Sequence, residues 1–140
     1  MELSTYLTFS GQCKDAFEFY AQSLGGKIQF MMSYGESPMA AQVTPEFRDR
    51  IMHVTLGVAD GILMGCDAPA GRYEKAQGFM VQVGIDDAAE AERLFQALSA
   101  DGSVTMPLQQ TFWAARFGML VDRFGTPWMI NCRQPANEAQ

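Results

Sequence analysis

The chain has 140 residues, of which 48% are hydrophobic and 19% are charged, and its formal net charge is −6. This length suits one compact domain, or two very small modules that share a core. The acidic balance argues against nucleic acid or an anionic membrane as a partner, because both require a basic surface.

The N-terminal sequence MELSTYLTF lacks the basic start and long apolar stretch of a secretory signal. No apolar run approaches the roughly 20 residues of a membrane helix. We therefore expect a cytoplasmic protein.

The cysteines Cys13, Cys66 and Cys132 are odd in number and never have CxxC spacing, which favours reduced thiols over a disulfide framework or a zinc site.

The first half of the chain begins with a predicted strand at residues 7–9 and a predicted helix at residues 13–24. Gly25 and Gly26 are typical of a helix C-terminus. Spacing places four side chains on one apolar stripe of this helix. They are Phe17, Tyr20, Ala21 and Leu24.

Three strands are predicted to follow that helix, at residues 27–35, 50–58 and 61–67. Alternation in the first of them places Ile28, Phe30 and Met32 on one face. In the second strand, His53 and Thr55 lie on the face opposite four apolar residues, which are Met52, Val54, Leu56 and Val58. The order of elements is therefore β-α-β-β-β.

After a polar linker at residues 68–77 the pattern starts again. A strand is predicted at residues 78–85, with Phe79, Val81, Val83 and Ile85 on one face. A helix follows at residues 88–99, where Asp87 and Glu90 fit a capping box. Its apolar stripe consists of Ala91, Leu94, Phe95 and Leu98.

Three further strands are predicted at residues 103–113, 114–122 and 126–132. In the last one, Trp128 and Ile130 form a core pair, so Met129 and Asn131 lie on the other face. A shift of about 75 residues aligns Ala16 with Ala91, and a shift of about 65 aligns Met64 with Met129. The β-α-β-β-β order thus occurs twice, which indicates an internal repeat.

Two βαβββ modules in a chain of this length resemble the vicinal oxygen chelate superfamily of glyoxalase I, bleomycin-resistance proteins and extradiol dioxygenases. The local motifs resemble its PhnB-like branch, also labelled 3-demethylubiquinone methyltransferase-like. They are YLTFSGQCKDAFEFY, YGESP, MHVTLGV, LMGCDAP, RYEKAQGF and QQTFWAARFGMLVDRFGTPWMIN. The resemblance implies an α+β fold in which residues 1–140 form a single domain. Its modules are expected at residues 2–68 and 78–133, related by a pseudo-twofold axis, and the protein is expected to form a homodimer.

Metal-using members of the superfamily take four ligands from the first and last strands of the modules. By resemblance, the four positions here are Ser4, Met64, Met80 and Met129, and a one-residue shift would put Thr5 in place of Ser4. None is His, Asp or Glu, and a divalent cation needs oxygen or imidazole donors. We therefore expect no metal site and no cofactor, although copper(I) does accept thioether ligands.

Strand alternation predicts the side chains that would line a ligand cavity. They are Tyr6, Thr8, His53, Thr55, Met64, Met80, Gln82, Met129 and Asn131. Thioethers with a few hydroxyls and amides suit a small, neutral, partly apolar molecule. A binding protein without metal is therefore the first hypothesis. The alternatives are an enzyme, either metal-dependent or using His53 with Tyr6 or Cys66 as acid and base, and a structural role through dimerisation.

Three other groups of residues are weaker candidates. Trp113 and Arg116 could close over a ligand or stack on each other. The loop residues Tyr34 and Glu36 occupy a position where a lid could form, as do Tyr73 and Glu74 in the linker. A nucleotide-derived methyl donor is not expected, because neither strand-to-helix turn, FSGQCKD or GIDDAAE, has the glycine pattern of such sites.

Overall fold

The computed structural model describes residues 1–134, so residues 135–140 of the predicted domain lie outside the described part of the chain. The chain divides into two compact units, Met1–Lys75 and Ala76–Gln140. Each unit has the predicted β-α-β-β-β order, and the predicted α+β class is confirmed. Neither of the helices in residues 1–134 is long and apolar enough to cross a membrane.

The first unit contains one helix and one four-stranded sheet. Three short 3-10 turns, at Tyr34–Glu36, Ala40–Gln42 and Pro45–Phe47, separate its second and third strands. Its main elements are β1 (Thr5–Phe9), α1 (Cys13–Leu24), β2 (Lys27–Ser33), β3 (Ile51–Val58) and β4 (Gly61–Asp67).

The second unit repeats this plan, and its described part, residues 76–134, lacks the 3-10 turns. Its elements are β5 (Val81–Ile85), α2 (Ala88–Ser99), β6 (Ser103–Gln109), β7 (Ala114–Val121) and β8 (Pro127–Arg133).

The strand order is β1-β4-β3-β2 in one sheet and β5-β8-β7-β6 in the other. The first strand of each unit pairs in parallel with the last strand, and the remaining pairs are antiparallel. Both sheets are therefore mixed, as predicted from three successive strands that follow a helix.

Each helix packs its apolar stripe on one face of its own sheet. The predicted stripe of α2 is buried in full, at Ala91, Leu94, Phe95 and Leu98. The prediction for α1 was partly wrong. Phe17 and Tyr20 are buried, but Ala21 and Leu24 are only partly so, because the helix is rotated to bury Cys13, Ala16 and Ser23 instead.

The backbone N–H groups at the N-termini of the two helices are hydrogen-bonded in two different ways. Asp87 caps α2 by accepting a hydrogen bond from the backbone N–H of Glu90 at 3.2 Å. In place of the second hydrogen bond of the predicted capping box, the Glu90 carboxylate forms an ion pair with Arg93 at 2.6 Å. At α1, the buried carboxylate of Asp67 accepts from the N–H groups of Gly11 at 2.6 Å and Cys13 at 3.1 Å.

A β-bulge in β2 overturns one of the predicted faces. Ile28 pairs with Leu56, whereas Phe30 pairs with Thr55 and Met32 with His53, with a register shift between Ile28 and Phe30. Paired residues on neighbouring strands point to the same side of a sheet. Because the bulge inserts one residue, Ile28 faces the helix while Phe30 and Met32 face the opposite side.

Candidate functional site

Each sheet has one face that packs against its helix and an opposite face, which we call the open face. Strand β8 shows the division clearly. Trp128, Ile130 and Cys132 are fully buried on the helix side, while Met129 and Asn131 are half-buried on the open face. The alternation that the sequence predicts for this strand is therefore present.

The open face of the first unit carries two rows of side chains that run across the strands. In the first row, Tyr6 pairs with Met64, which pairs with Thr55, which in turn pairs with Phe30. The second row contains the pairs Thr8 with Cys66 and His53 with Met32. The structure thus brings together the first-unit residues that the sequence analysis selected, and adds Phe30 and Met32.

His53 lies at the centre of a hydrogen-bonded chain. Its Nδ1 is 3.0 Å from the Tyr6 hydroxyl, and its Nε2 is 3.0 Å from the Thr55 hydroxyl. The imidazole ring also lies beside two aromatic rings, with centroid distances of 5.6 Å to Tyr6 and 6.0 Å to Phe30. Hydroxyl groups, and not a carboxylate, therefore fix the orientation of the only histidine.

Burial sets the protonation state of the neighbouring groups. Loss of hydration, with a smaller effect of nearby Cys66, raises the pKa of the Tyr6 phenol. Burial raises the pKa of the Cys66 thiol by more than the neighbouring Tyr6 hydroxyl lowers it. Both groups stay neutral near pH 7, so Cys66 lacks the thiolate character of a nucleophilic cysteine.

The open face of the second unit is dominated by thioethers. Gln82 pairs with Met129, Met129 pairs with Met119, and Met119 pairs with Met106. We call these four residues the methionine row. Asn131, in the adjoining row, pairs with Phe117 and has its side-chain amide 3.5 Å from that of Gln82.

A groove of about 520 Å³ opens at one end of the methionine row. Met80 lies just before β5 and is 43% exposed, and Gln82 and Met129 complete this part of the lining. The other lining residues are Ala76, Gln77, Gly78, Phe79, Thr105, Leu120, Val121 and Pro127. The volume lies within the range of small-molecule sites, and the lining is mostly apolar.

The residues at the metal-ligand positions of the superfamily do not fit a divalent cation. Met64 lies beside Tyr6, Met129 lies beside Gln82, and both Ser4 and Met80 precede their strands. Thioethers, hydroxyls and amides are poor ligands for such an ion. Within residues 1–134, no group of three or more His, Cys, Asp or Glu side chains could hold a metal ion.

Three of the weaker candidates have structural roles. Trp113 packs edge-on against Phe117 at 5.3 Å, and Arg116 forms an ion pair with Glu92 at 2.9 Å, so they do not stack on each other. Tyr34 is buried and donates to the carbonyl of Asp67 at 2.8 Å. Tyr34 is therefore a fixed part of the first unit and not a mobile lid residue.

Glu36 also has a local structural role, since it completes a capping box with Ser33 around the first 3-10 turn.

The sequence analysis missed Met106, Met119 and Phe117 on the second open face. A signal was available for two of them, because Phe117 and Met119 alternate along a strand whose position was predicted correctly. Met106 and Phe30 were harder to place, since each lies next to a register shift. A β-bulge reverses the face of every later residue in its strand and leaves no trace in the pattern of polarity.

The two βαβββ units have the fold of vicinal oxygen chelate proteins, which distant solved members of the glyoxalase, bleomycin resistance and dioxygenase superfamily share. The chain belongs to the family described as 3-demethylubiquinone-9 3-methyltransferase, whose model matches residues 1–131. Protein YjdN of Escherichia coli K12 is 37% identical over 139 residues, which are 94% of this chain and 95% of YjdN.

Two solved structures extend this comparison. The crystal structure of protein PA1353 from Pseudomonas aeruginosa has a TM-score of 0.88 at 47% identity, covering 96% of this chain and 98% of that one. The PhnB protein from Bacillus cereus has a TM-score of 0.79 at 22% identity, covering 94% and 99%. At that lower identity, the second similarity concerns the fold alone.

Proposed function

We propose that this protein binds a small, neutral, partly apolar molecule and does so without a metal ion. The observation that carries the proposal is the groove of about 520 Å³ at the methionine row of the second unit. Methionine side chains are unbranched and polarizable, so a surface made of them adapts to ligands of several shapes. The absence of charge among Met80, Gln82 and Met129 favours a neutral ligand.

A few polar groups would orient the ligand within this apolar lining. Gln82 lines the groove, Asn131 lies beside Gln82 outside the lining, and their amides offer both donors and acceptors. On the first unit, Tyr6, Thr8, His53 and Met64 present a second surface of hydroxyl, imidazole and thioether groups. Few polar groups in a mainly apolar lining are typical of small-molecule sites.

The helix N-termini support a binding role over transfer of a methyl group from a nucleotide-derived donor. Such donors place their anionic or polar groups against exposed amides at a glycine-rich turn. At α1 those amides, on Gly11 and Cys13, are already bound by the carboxylate of Asp67. At α2 the side chain of Asp87 accepts a hydrogen bond from the backbone N–H of Glu90. The family description therefore does not transfer to this chain as a reaction.

The first test is native mass spectrometry of protein taken directly from cells, which would show a retained small molecule as added mass. The second is titration with the neutral fluorescent probe N-phenyl-1-naphthylamine. Met129→Asp introduces a carboxylate into the groove and should weaken probe binding by roughly tenfold or more, because the charge loses hydration when the groove is occupied. Met129→Leu keeps the volume and polarity and should bind nearly as well as the wild type.

Val104→Asp is the matched control, since Val104 is an exposed apolar residue of the second unit that does not line the groove. It should leave binding of the probe unchanged. Equal binding by Met129→Asp and the wild type would show that the groove is not the site. A stoichiometric divalent metal in the purified protein would contradict the proposal as a whole.

A further inference from the structure

Tyr6, His53 and Thr55 form a hydrogen-bonded chain on the first open face. Tyr6 is 46% exposed, and its hydrogen bond to His53 lies in an exposed setting. Exposed polar groups can bond to water and need no protein partner. Burial therefore does not require Tyr6 to find a protein partner, and its alignment with the part-buried pair of His53 and Thr55 indicates a site.

The hydrogen bonds couple the three groups, and the imidazole tautomer sets which atom donates in each of them. When the Tyr6 hydroxyl donates to Nδ1 of His53, the hydrogen of the neutral imidazole must be on Nε2, from which it is donated to the Thr55 hydroxyl. Nucleophile and base pairs of enzymes are oriented in the same way by a third group on the far side of the imidazole. The Tyr6 oxygen keeps its acceptor capacity for a molecule bound on the open face.

Aromatic rings flank this chain. Phe30 is 45% exposed, and its ring centroid lies 6.0 Å from the imidazole of His53, while the ring of Tyr6 lies 5.6 Å from it. Exposed ring faces at these separations favour the stacking of a planar molecule. The site would therefore take a flat ligand that carries a hydrogen-bonding group.

The two rows of the open face show which titratable groups lie around His53. The titratable groups that face it are Tyr6 from β1 and Cys66 from β4, and β2 contributes only Phe30 and Met32. A protonated imidazole there would have no carboxylate from these rows as a counterion. A bound anion would supply the missing negative charge.

We propose that the open face of the first unit is an acid–base site for a small planar phenol or enol. The ligand hydroxyl donates to the Tyr6 oxygen. Its O–H bond breaks as a new one forms on Tyr6, and the original Tyr6 proton moves to Nδ1 of His53. The products are a ligand anion and an imidazolium, and Thr55 accepts the Nε2 hydrogen throughout. No oxidant, metal or further reactant takes part.

This site uses residues of the first unit only, so it does not depend on the groove of the methionine row. The probe is 4-nitrophenol, whose anion absorbs at a longer wavelength than its neutral form. At a pH below the pKa of the free probe, binding to the wild type should produce the absorption band of the anion. Neutral absorption of the bound probe, or no binding at millimolar concentration, would overturn the proposal.

Tyr6→Phe keeps the ring and removes the hydroxyl. It should abolish the anion band and weaken binding about tenfold, the usual effect of losing one hydrogen bond to a charged group. His53→Gln should abolish the band while stacking of the neutral probe persists. Met39→Leu is the matched control, because Met39 is 42% exposed in the same unit and lies on neither row of the open face, and it should behave as the wild type.

The groove provides the remaining control. If the band survives in Tyr6→Phe but is lost in Met129→Asp, the probe is bound at the methionine row and the proposal is wrong. That result would leave the binding function of the groove intact. Conversely, an anion band that is normal in Met129→Asp would support the first-unit site whether or not the groove binds its own ligand.

Discussion

Trp128 donates its indole N–H to the buried carboxylate of Asp122 at 2.8 Å, across the turn that leads into β8. The other oxygen of the same carboxylate accepts from the N–H groups of Phe124 at 2.8 Å and Thr126 at 3.0 Å. One side chain therefore shapes the turn and also holds the largest core residue of the second unit. The position of Met129, directly after Trp128, depends on this arrangement.

Replacement of Asp122 by alanine should destabilise the protein by about 3 kcal/mol or more, because three donors lose a buried, charged acceptor. The measurement is urea unfolding followed by tryptophan fluorescence. Asp86→Ala is the control, since Asp86 forms an exposed ion pair with Arg133 and its loss should cost less than about 1 kcal/mol. Similar losses in the two variants would contradict the role assigned to Asp122.

Gly65→Ala should destabilise the first unit, because a Cβ at this position would lie 2.7 Å from the carbonyl oxygen of Leu7 and 2.7 Å from the ring of Phe17. Overpacking of this kind costs roughly 1–3 kcal/mol. Gly61→Ala, in the same strand, is the control, since its nearest neighbour would be at 3.6 Å. Thermal unfolding should show a lower midpoint for the first variant only.

A chelator such as EDTA should leave the melting temperature of the wild-type protein unchanged, because a bound metal would otherwise stabilise the native state and its removal would lower the midpoint. The double variant Met80→His with Met129→Glu provides the contrast. It places imidazole and carboxylate donors in the groove and should gain affinity for Ni²⁺ or Zn²⁺. Isothermal titration calorimetry of both proteins with Ni²⁺ measures the difference.

The Cys66 thiol should react slowly with a disulfide reagent at pH 7–8. Its pKa is raised by burial, so at any given pH it contains less thiolate than a free cysteine. The midpoint of the pH–rate profile should therefore lie above that of free cysteine. Tyr6→Phe should move the midpoint higher still, because the neighbouring Tyr6 hydroxyl lowers this pKa. Cys66→Ser identifies the contribution of this thiol, and a midpoint at or below that of free cysteine would refute the prediction.

The protein should sediment as a dimer of the 15.5 kDa chain at micromolar concentration. Phe112 is 92% exposed and Trp113 is 45% exposed, and their rings pack edge-on at 4.8 Å, which makes this apolar pair a candidate contact between two copies. Phe112→Asp should shift the equilibrium towards monomer. Leu3→Asp, at another exposed apolar residue, tests whether the effect is specific, and a monomeric wild type would contradict the prediction.

Much of the fold could be predicted from the sequence because the spacing of apolar residues matches the period of the helix or strand that they form. The stripe of α2 and the alternation of Trp128, Met129, Ile130 and Asn131 are both read directly from the spacing of apolar residues. Each of these two elements buries one face and has regular geometry along its whole length. The spacing of the apolar residues alone therefore predicts which side chains face the core.

The remaining features depend on contacts between distant residues. Asp67 accepts from the N–H of Cys13, 54 positions away, and no local pattern marks it as the cap of α1. The hydrogen bond between Tyr6 and His53 joins residues 47 positions apart. Their shared face could be predicted from alternation, but the contact also requires β1 to pair with β4 and β4 with β3.

The parallel pairing of β1 with β4 has a consequence for how the protein forms. The strand that is synthesised first in each unit can enter its sheet only after the last strand of that unit exists, so the closing step waits for a contact of long sequence separation. The rows of the open faces cross all four strands. Any binding surface on them is therefore assembled in the same late step that completes the sheet, and a partly folded unit would have no ligand to stabilise it.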